Sequence, residues 1–354
     1  MTARLHLLLG AGGVGKTTLA AGYALALARE PGRRVGLLGI DPARRLQDAL
    51  GVPLSDLEAP VPGVGTLHAA LLHPADSLRR WTAEALPDTG SRARLLANPF
   101  FIALADRLAT ATDIFAAARV AEWAERDPAL TDLVVDTAPG QNAIEFLRRP
   151  ERLAAFLEGR LVRWLRWFAR SQRGGPLGEA LGGGARRVVW GLVRIGGTQL
   201  LLDLAEFFSL VEAVFSRMLT RVKATEHWLR DPATEILVVT SVRDDGGRMT
   251  RELADALRDV RLAPRAIVIN RALPAGFVDE VQALGDAPGL PPEGVRVLRY
   301  AVAYAKMQER LVTGLKELAP ATVVIGACAG LDGGERLAAL EELGRALERA
   351  LTDT

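Results

Sequence analysis

The chain has 354 residues, 49% of them hydrophobic but only 5% aromatic, and 44 basic side chains stand against 42 acidic ones. Such a length supplies core for two domains' worth of structure, the Ala/Leu-rich makeup is typical of a soluble α/β protein, and the balanced charge argues against a general nucleic-acid binder. One cysteine, Cys328, excludes an intrachain disulfide; within Val323-Val324-Ile325-Gly326-Ala327-Cys328 it reads as a small buried residue.

Residues 5–9 read as a short apolar strand and residues 18–28 as an alanine-rich helix. Between them Gly10-Ala11-Gly12-Gly13-Val14-Gly15-Lys16-Thr17 completes the pattern G-x-x-x-x-G-K-[ST]. The glycines let consecutive backbone N–H groups turn inward around a polyphosphate at the positive end of the helix. Gly10 through Thr18 are therefore the expected phosphate cradle, with Lys16 on the β- and γ-phosphates and the Thr17 hydroxyl on Mg²⁺. Lysine occurs only at positions 16, 223, 306 and 316, so its presence here is not a matter of composition.

Residues 34–40 form a second apolar strand, ending in Asp41-Pro42-Ala43-Arg44-Arg45-Leu46-Gln47-Asp48-Ala49-Leu50. A third ends in Leu133-Val134-Val135-Asp136-Thr137-Ala138-Pro139-Gly140. Each acid stands at the carboxyl end of a strand, where open α/β sheets bind ligands. Asp136 is expected on the Mg²⁺ side, directly or through water, and Asp41 beside the water that attacks a γ-phosphate. Asp-Pro is also a common turn and cap device, so Asp41 has a purely structural alternative.

From 151 to 230 no good strand pattern occurs before the strand at 235–240. Leu153, Phe156, Leu157, Leu161, Trp164, Leu165 and Phe168 form one helical stripe, and Leu200, Leu204, Phe207, Phe208, Val211, Phe215 and Met218 a second. The glycine-rich stretch 174–184 separates them as a hinge or lid. The region carries a basic excess and four of the six tryptophans, 164, 167, 190 and 228. Its stripes either bury one another, form a groove for an amphipathic or transmembrane helix when two protomers close, or lie on an anionic membrane. This is the expected helical insertion, 151–230, within a phosphate-binding domain made of 1–150 and 231–354.

Further along come a surface helix at 247–259, a strand at 266–270 ending in Asn270, and an amphipathic helix at 333–351 (Leu337, Leu340, Leu343, Leu347) packed on the sheet. His6, His68, His73 and His227 are scattered, with no metal-ligand spacing. The opening shows no basic-apolar-cleavage pattern, and no run approaches the roughly 18–20 apolar residues that span a bilayer, so a cytoplasmic location is expected.

Together these segments resemble a dimer-forming family, the arsenite-pump ATPase (ArsA) and the tail-anchored-protein targeting ATPase of the guided-entry pathway. The family usually reads GKGGVGKTT, DPAHSLSDAF and DTAPTGHTLR; this chain reads GAGGVGKTT, DPARRLQDAL and DTAPGQNAIEF. The resemblance implies a P-loop α/β fold, a mostly parallel sheet flanked by helices, using ATP and Mg²⁺. Lys16 and Thr17 take the phosphate and metal roles, Asp41 the water-activating role, Asp136 the metal-side role, and Asn270 reads adenine. Guanine readers need an Asp three residues beyond such an Asn; here Leu273 stands, and ATP is expected. The implied assembly is a homodimer, or a heterodimer with a paralogue, coupling ATP to a hydrophobic helix or membrane-protein client.

Three departures qualify that picture. The family's loop carries an extra lysine that crosses the dimer to the partner's phosphates, where this chain has Ala11. A weak or inactive hydrolase, a trans charge from Arg44 or Arg45, and pairing with a lysine-bearing paralogue are the alternatives. With one cysteine there is neither a C-x-x-C pair for zinc nor a cysteine cluster for arsenite. The competing functions are a slow or inactive nucleotide-gated assembly protein regulating a paralogous ATPase, and a partitioning-type ATPase on DNA or membrane.

Overall fold

A computed structural model describes residues 3–41, 43–108, 112–138, 183–242, 245–273, 276–285, 291–326 and 336–353. The eight strands found there form one sheet in the order β3-β4-β2-β5-β1-β6-β7-β8. They are β1 (Arg4–Gly10), β2 (Val35–Gly39), β3 (Ala59–Val61), β4 (Val64–Leu71), β5 (Asp132–Asp136), β6 (Glu235–Ser241), β7 (Ala266–Ala272) and β8 (Ala321–Gly326). All neighbours run parallel except the β3–β4 pair. Leu7, Leu8, Leu9, Leu133, Val134 and Val135 are fully buried, as continuous apolar runs must be when helices cover both faces of a parallel sheet.

Register fixes the site. Leu8 and Gly39 both pair with Asp136, Gly10 pairs with Val239, and Ser241 with Asn270. The loop after β1, the turn after β2, Asp136 and Asn270 therefore open on one edge, the carboxyl ends of the strands. At the opposite edge, one charged cluster pins the three central strands. His6 on β1 meets Asp132 on β5 through Nε2 and Glu235 on β6 through Nδ1, each at 3.0 Å. The Tyr23 hydroxyl donates to Glu235 at 3.1 Å and Arg33 donates to Asp132 at 3.0 Å.

The loop runs into α1 (Lys16–Arg29), and the last helix, here α11 (Arg336–Thr352), packs on α1, their backbones meeting at Gly22 and Gly344. A Cβ on Gly344 would stand 1.8 Å from the Gly22 carbonyl oxygen, so only glycine permits this crossing. Leu340, Leu343 and Leu347 are buried there. The terminal helix was expected on the sheet; its main neighbour is α1, because two small residues let the helix backbones meet.

The chain divides into two units, one of residues 1–72, 123–147 and 227–354, the other of 73–122 and 148–226. Residues 73–122, read above as part of the phosphate-binding domain, thus group with the helical unit. Its described helices are α3 (Pro74–Ala85), α4 (Thr89–Ala97), α5 (Pro99–Leu108), most of α6 (Thr112–Arg126) and most of α7 (Gly183–Leu229). Trp81 stacks on Phe115 with centroids 5.3 Å apart, and Arg80 makes two bonds to the buried Glu122 at 2.8 and 2.9 Å. Of the aromatics expected in a groove, Trp164 and Phe168 lie outside the described residues, as do Cys328 and 174–182. Phe215 is 3% exposed and serves the unit's own interior, whereas Phe208 is half-buried and packs edge-on against its neighbour Phe207. Among the described residues no helix is long and apolar enough to cross a membrane.

Candidate nucleotide site

The loop geometry follows from its glycines. Gly10 has φ 154° and Gly15 φ 89°, backbone that L side chains rarely adopt. A Cβ on Gly10 would lie 2.2 Å from the Val239 carbonyl oxygen, and one on Gly15 would lie 2.3 Å from the Asn270 amide nitrogen. Lys16, 6% exposed, opens α1 and curls back so that Nζ donates to the carbonyl oxygens of Gly10 and Ala11, each at 2.9 Å. Burial pulls its pKa down, while the charges of Asp136 and Asp41 pull it back up. The ammonium thus sits in the ring of the loop, at the mouth that the amides surround.

Asp136 is 1% exposed, and its Oδ1 has no hydrogen-bond partner. Burial pushes its carboxyl up to about 6, against a bond with the Thr17 hydroxyl and the nearby Lys16 charge, which favour the ionised form. A buried carboxylate oxygen with no donor beside a threonine hydroxyl suits a hard divalent cation, which takes one or two protein oxygens and completes its shell with phosphate and water. Thr17 and Asp136 are the residues that would hold Mg²⁺. The Thr137 hydroxyl donates to the Leu8 carbonyl at 2.7 Å and holds this strand end in place.

Asp41 makes the turn that its structural alternative gave, and its side chain also faces the cleft. Its Oδ1 accepts the Ala43 N–H at 2.9 Å, an Asx turn, while its Oδ2 lies 3.7 Å from Arg45 Nη1. It lines a cleft of about 490 Å³ with Gly13, Gly15, Lys16, Thr17, Thr18, Thr137, Arg45, Arg271 and Arg336. Gly10, Ala11, Gly12 and Val14 face a separate cavity of about 90 Å³ beside β6 and α8 (Gly246–Asp259), too small for a nucleotide.

Asn270, 4% exposed, spends its amide on the loop: Nδ2 donates to the Val14 carbonyl and Oδ1 accepts the Arg271 N–H, both at 2.9 Å. One amide hydrogen and one lone pair remain for a base. The sequence reading missed Arg271 and Arg336. Arg271 holds a left-handed backbone at φ 58° and donates to the Gly13 carbonyl at 3.4 Å. Its position directly after Asn270 was the available signal. Arg336 reaches the cleft from α11 and donates to the Asp48 carbonyl at 2.6 Å, a contact no local pattern encodes.

A glycine loop closing on a helix N-terminus, a buried lysine and two strand-end carboxylates at one edge of a parallel sheet define a P-loop nucleotide-binding domain. Residues 3–176 match the family model described as anion-transporting ATPase, so that stretch of the chain is similar to that family. It is similar to the arsenical pump-driving ATPases of Acidiphilium multivorum and Escherichia coli, each 29% identical over 159 residues. Those matches cover 42% of this chain and 26% of each relative, so the chain spans about a quarter of the length of the relatives it matches. Asn270, Arg271 and Arg336 lie beyond the matched region.

Proposed function

We propose that this chain binds ATP with Mg²⁺ in the 490 Å³ cleft and hydrolyses it. The observation that carries the reading is Asp136, a buried carboxylate with one bare oxygen beside Thr17 and Lys16. The loop amides and Lys16 hold the phosphates. Thr17 and Asp136 are the residues that would hold Mg²⁺, which would supply neutralisation of the phosphate charge there. Asp41 orients a water whose oxygen bonds to the γ-phosphorus as the bond to the bridging oxygen breaks; ADP keeps that electron pair, and the water proton passes by way of Asp41 to phosphate or solvent. Calorimetry on Lys16→Ala tests the binding half, since losing the ammonium removes most ATP affinity. Asp41→Asn tests the chemical half: binding persists while turnover falls about tenfold or more. Unchanged ATP binding by Lys16→Ala refutes the site.

The finer reading is an ATP-gated dimer coupled to a hydrophobic helix or membrane protein, with the helical unit as the contact. Its support is the arsenical-pump relatives and a separate helical unit rich in aromatics. A second reading, a slow or inactive assembly protein acting on a paralogue, is favoured by one observation: Ala11 contributes no charge and does not line the cleft. Turnover of the chain alone and mixed with a lysine-bearing paralogue separates the two. If absent trans charge limits the enzyme, Ala11→Lys raises turnover only where dimers form.

A further inference from the structure

The cleft is lined by Gly13, Gly15, Lys16, Thr17 and Thr18 of the loop and by Asp41. Among the described residues lining it, Lys16 is the only lysine, and the other cations are Arg45, Arg271 and Arg336. Arg271 donates to the Gly13 carbonyl and Arg336 to the Asp48 carbonyl, whereas Arg45 faces the Asp41 carboxylate. Arg45 begins α2 (Arg45–Leu50), one helical turn after Asp41, and Leu46, 1% exposed, anchors that turn in the core. Its neighbour Arg44 caps the same helix through its backbone carbonyl, which accepts the Asp48 N–H at 2.9 Å, and does not line the cleft.

The contact between Arg45 and Asp41 is loose. At 3.7 Å it exceeds hydrogen-bond distance, and the arginine side chain is 58% exposed, so the pair is weak and readily exchanged. The guanidinium nevertheless lines the same cleft as Lys16 and Thr17. A terminal phosphate entering the cleft offers a planar guanidinium two oxygens at once, a stronger partner than one carboxylate oxygen beyond bonding range.

We propose that Arg45 is a positioning residue that reads the γ-phosphate within its own subunit: a nucleoside triphosphate draws its guanidinium off Asp41 and onto the terminal phosphate, and a diphosphate leaves it on Asp41. The inference rests on the nucleotide reading above. With a triphosphate bound, Asp41 is free to hold water; with a diphosphate bound, it stays paired. The state of the pair is also felt by α2, whose Asp48 carbonyl accepts the bond from Arg336 on α11.

Calorimetry of the full chain with Mg²⁺ and either a non-hydrolysable ATP analogue or ADP tests it. Arg45→Ala is expected to weaken the ATP analogue roughly ten- to a hundredfold while changing ADP less than about twofold. Arg45→Lys should recover part of the loss, and Arg45→Gln, which keeps the side chain's bulk, should behave like Arg45→Ala and serves where that variant folds poorly. Lys16→Ala should lose both nucleotides. Equal loss of both nucleotides by Arg45→Ala and Arg45→Gln, or no loss of either, overturns the inference while leaving the site intact. So does a loss produced by Arg44→Ala instead, or one seen only at dimer-forming concentrations. Wild type that binds neither nucleotide overturns the nucleotide reading itself.

Discussion

Replacing Asp136 by Asn should make the nucleotide-free protein more stable and a worse nucleotide binder. Burial holds the Asp136 carboxyl at about 6 instead of the ordinary 3.8, and that gap corresponds to about 3 kcal/mol against the ionised form at neutral pH. The sign follows from linkage. A carboxyl raised in the folded state binds its proton there at pH values where the unfolded chain has lost it, so stability falls as pH rises from about 4 to about 6 and the cost is complete above that window. Asn keeps the shape and removes the charge. Urea unfolding in chelator should therefore show Asp136→Asn up to about 3 kcal/mol more stable than wild type at pH 7.5, the difference shrinking to nothing near pH 4. Addition of Mg²⁺ and ATP should reverse the ranking, because mass action stabilises only the protein that binds. A variant less stable than wild type at pH 7.5, a difference independent of pH, or a retained Mg²⁺-dependent gain would each refute the reasoning.

Gly344→Ala places a methyl 1.8 Å from the Gly22 carbonyl oxygen, where only backbone movement relieves the clash. It should cost about 3 kcal/mol in urea unfolding, whereas Gly32→Ala, with φ 79° and open space around it, should cost only about 1 kcal/mol. Equal costs would mean the helices do not cross at these glycines. Burial lowers the His6 pKa, but its bonds to Asp132 and Glu235 outweigh that and raise the net value above 6.5. The imidazolium's contribution is then present below that pH and lost as pH rises through the folded value, so the stability gap between wild type and His6→Gln should be widest near pH 6 and narrow in alkali; a gap that widens in alkali refutes it. Asn270→Ala removes the amide that holds the Val14 carbonyl, so nucleotide affinity should fall about tenfold and hydrogen exchange at the loop amides should quicken. If neither changes, the amide does not hold the loop.

The phosphate-side motifs were legible because their chemistry is local: the loop needs its glycines, lysine and threonine in fixed sequence, and each acid follows an apolar strand. Register then brings Gly10 and Asp136 to one edge, as strands buried on both faces imply. Where the determinants are tertiary, the sequence is silent. The β3–β4 pair was not read, since Pro60 interrupts one strand and an edge strand tolerates it. The grouping of 73–122 with the helical unit rests on pairs such as Arg221 with Glu84 and Arg221 with Trp81, whose spacing follows no period. The apolar stripe of α7 was visible, but burial in the chain's own core and exposure in a groove write the same pattern. Phe215 takes the first course.

The matched family region ends at residue 176, yet the loop it contains is shaped by residues beyond it. Gly10 has no room for a side chain because Val239 on β6 stands above it, and Gly15 has none because of Asn270 on β7. The Val14 carbonyl is held by Asn270, the Gly13 carbonyl by Arg271, and α1 is covered by α11 through Gly22 and Gly344. The glycines are thus required by packing against the later strands as much as by a phosphate, and an amide cradle has its geometry only once the whole sheet has closed around it. A segment holding every recognisable phosphate-side motif would lack the walls that give the motifs their conformation. The conformation of the loop therefore depends on β6 and β7 as well as on its own residues, and a change at Asn270, far along the chain from any signature residue, should reach it through the Val14 carbonyl.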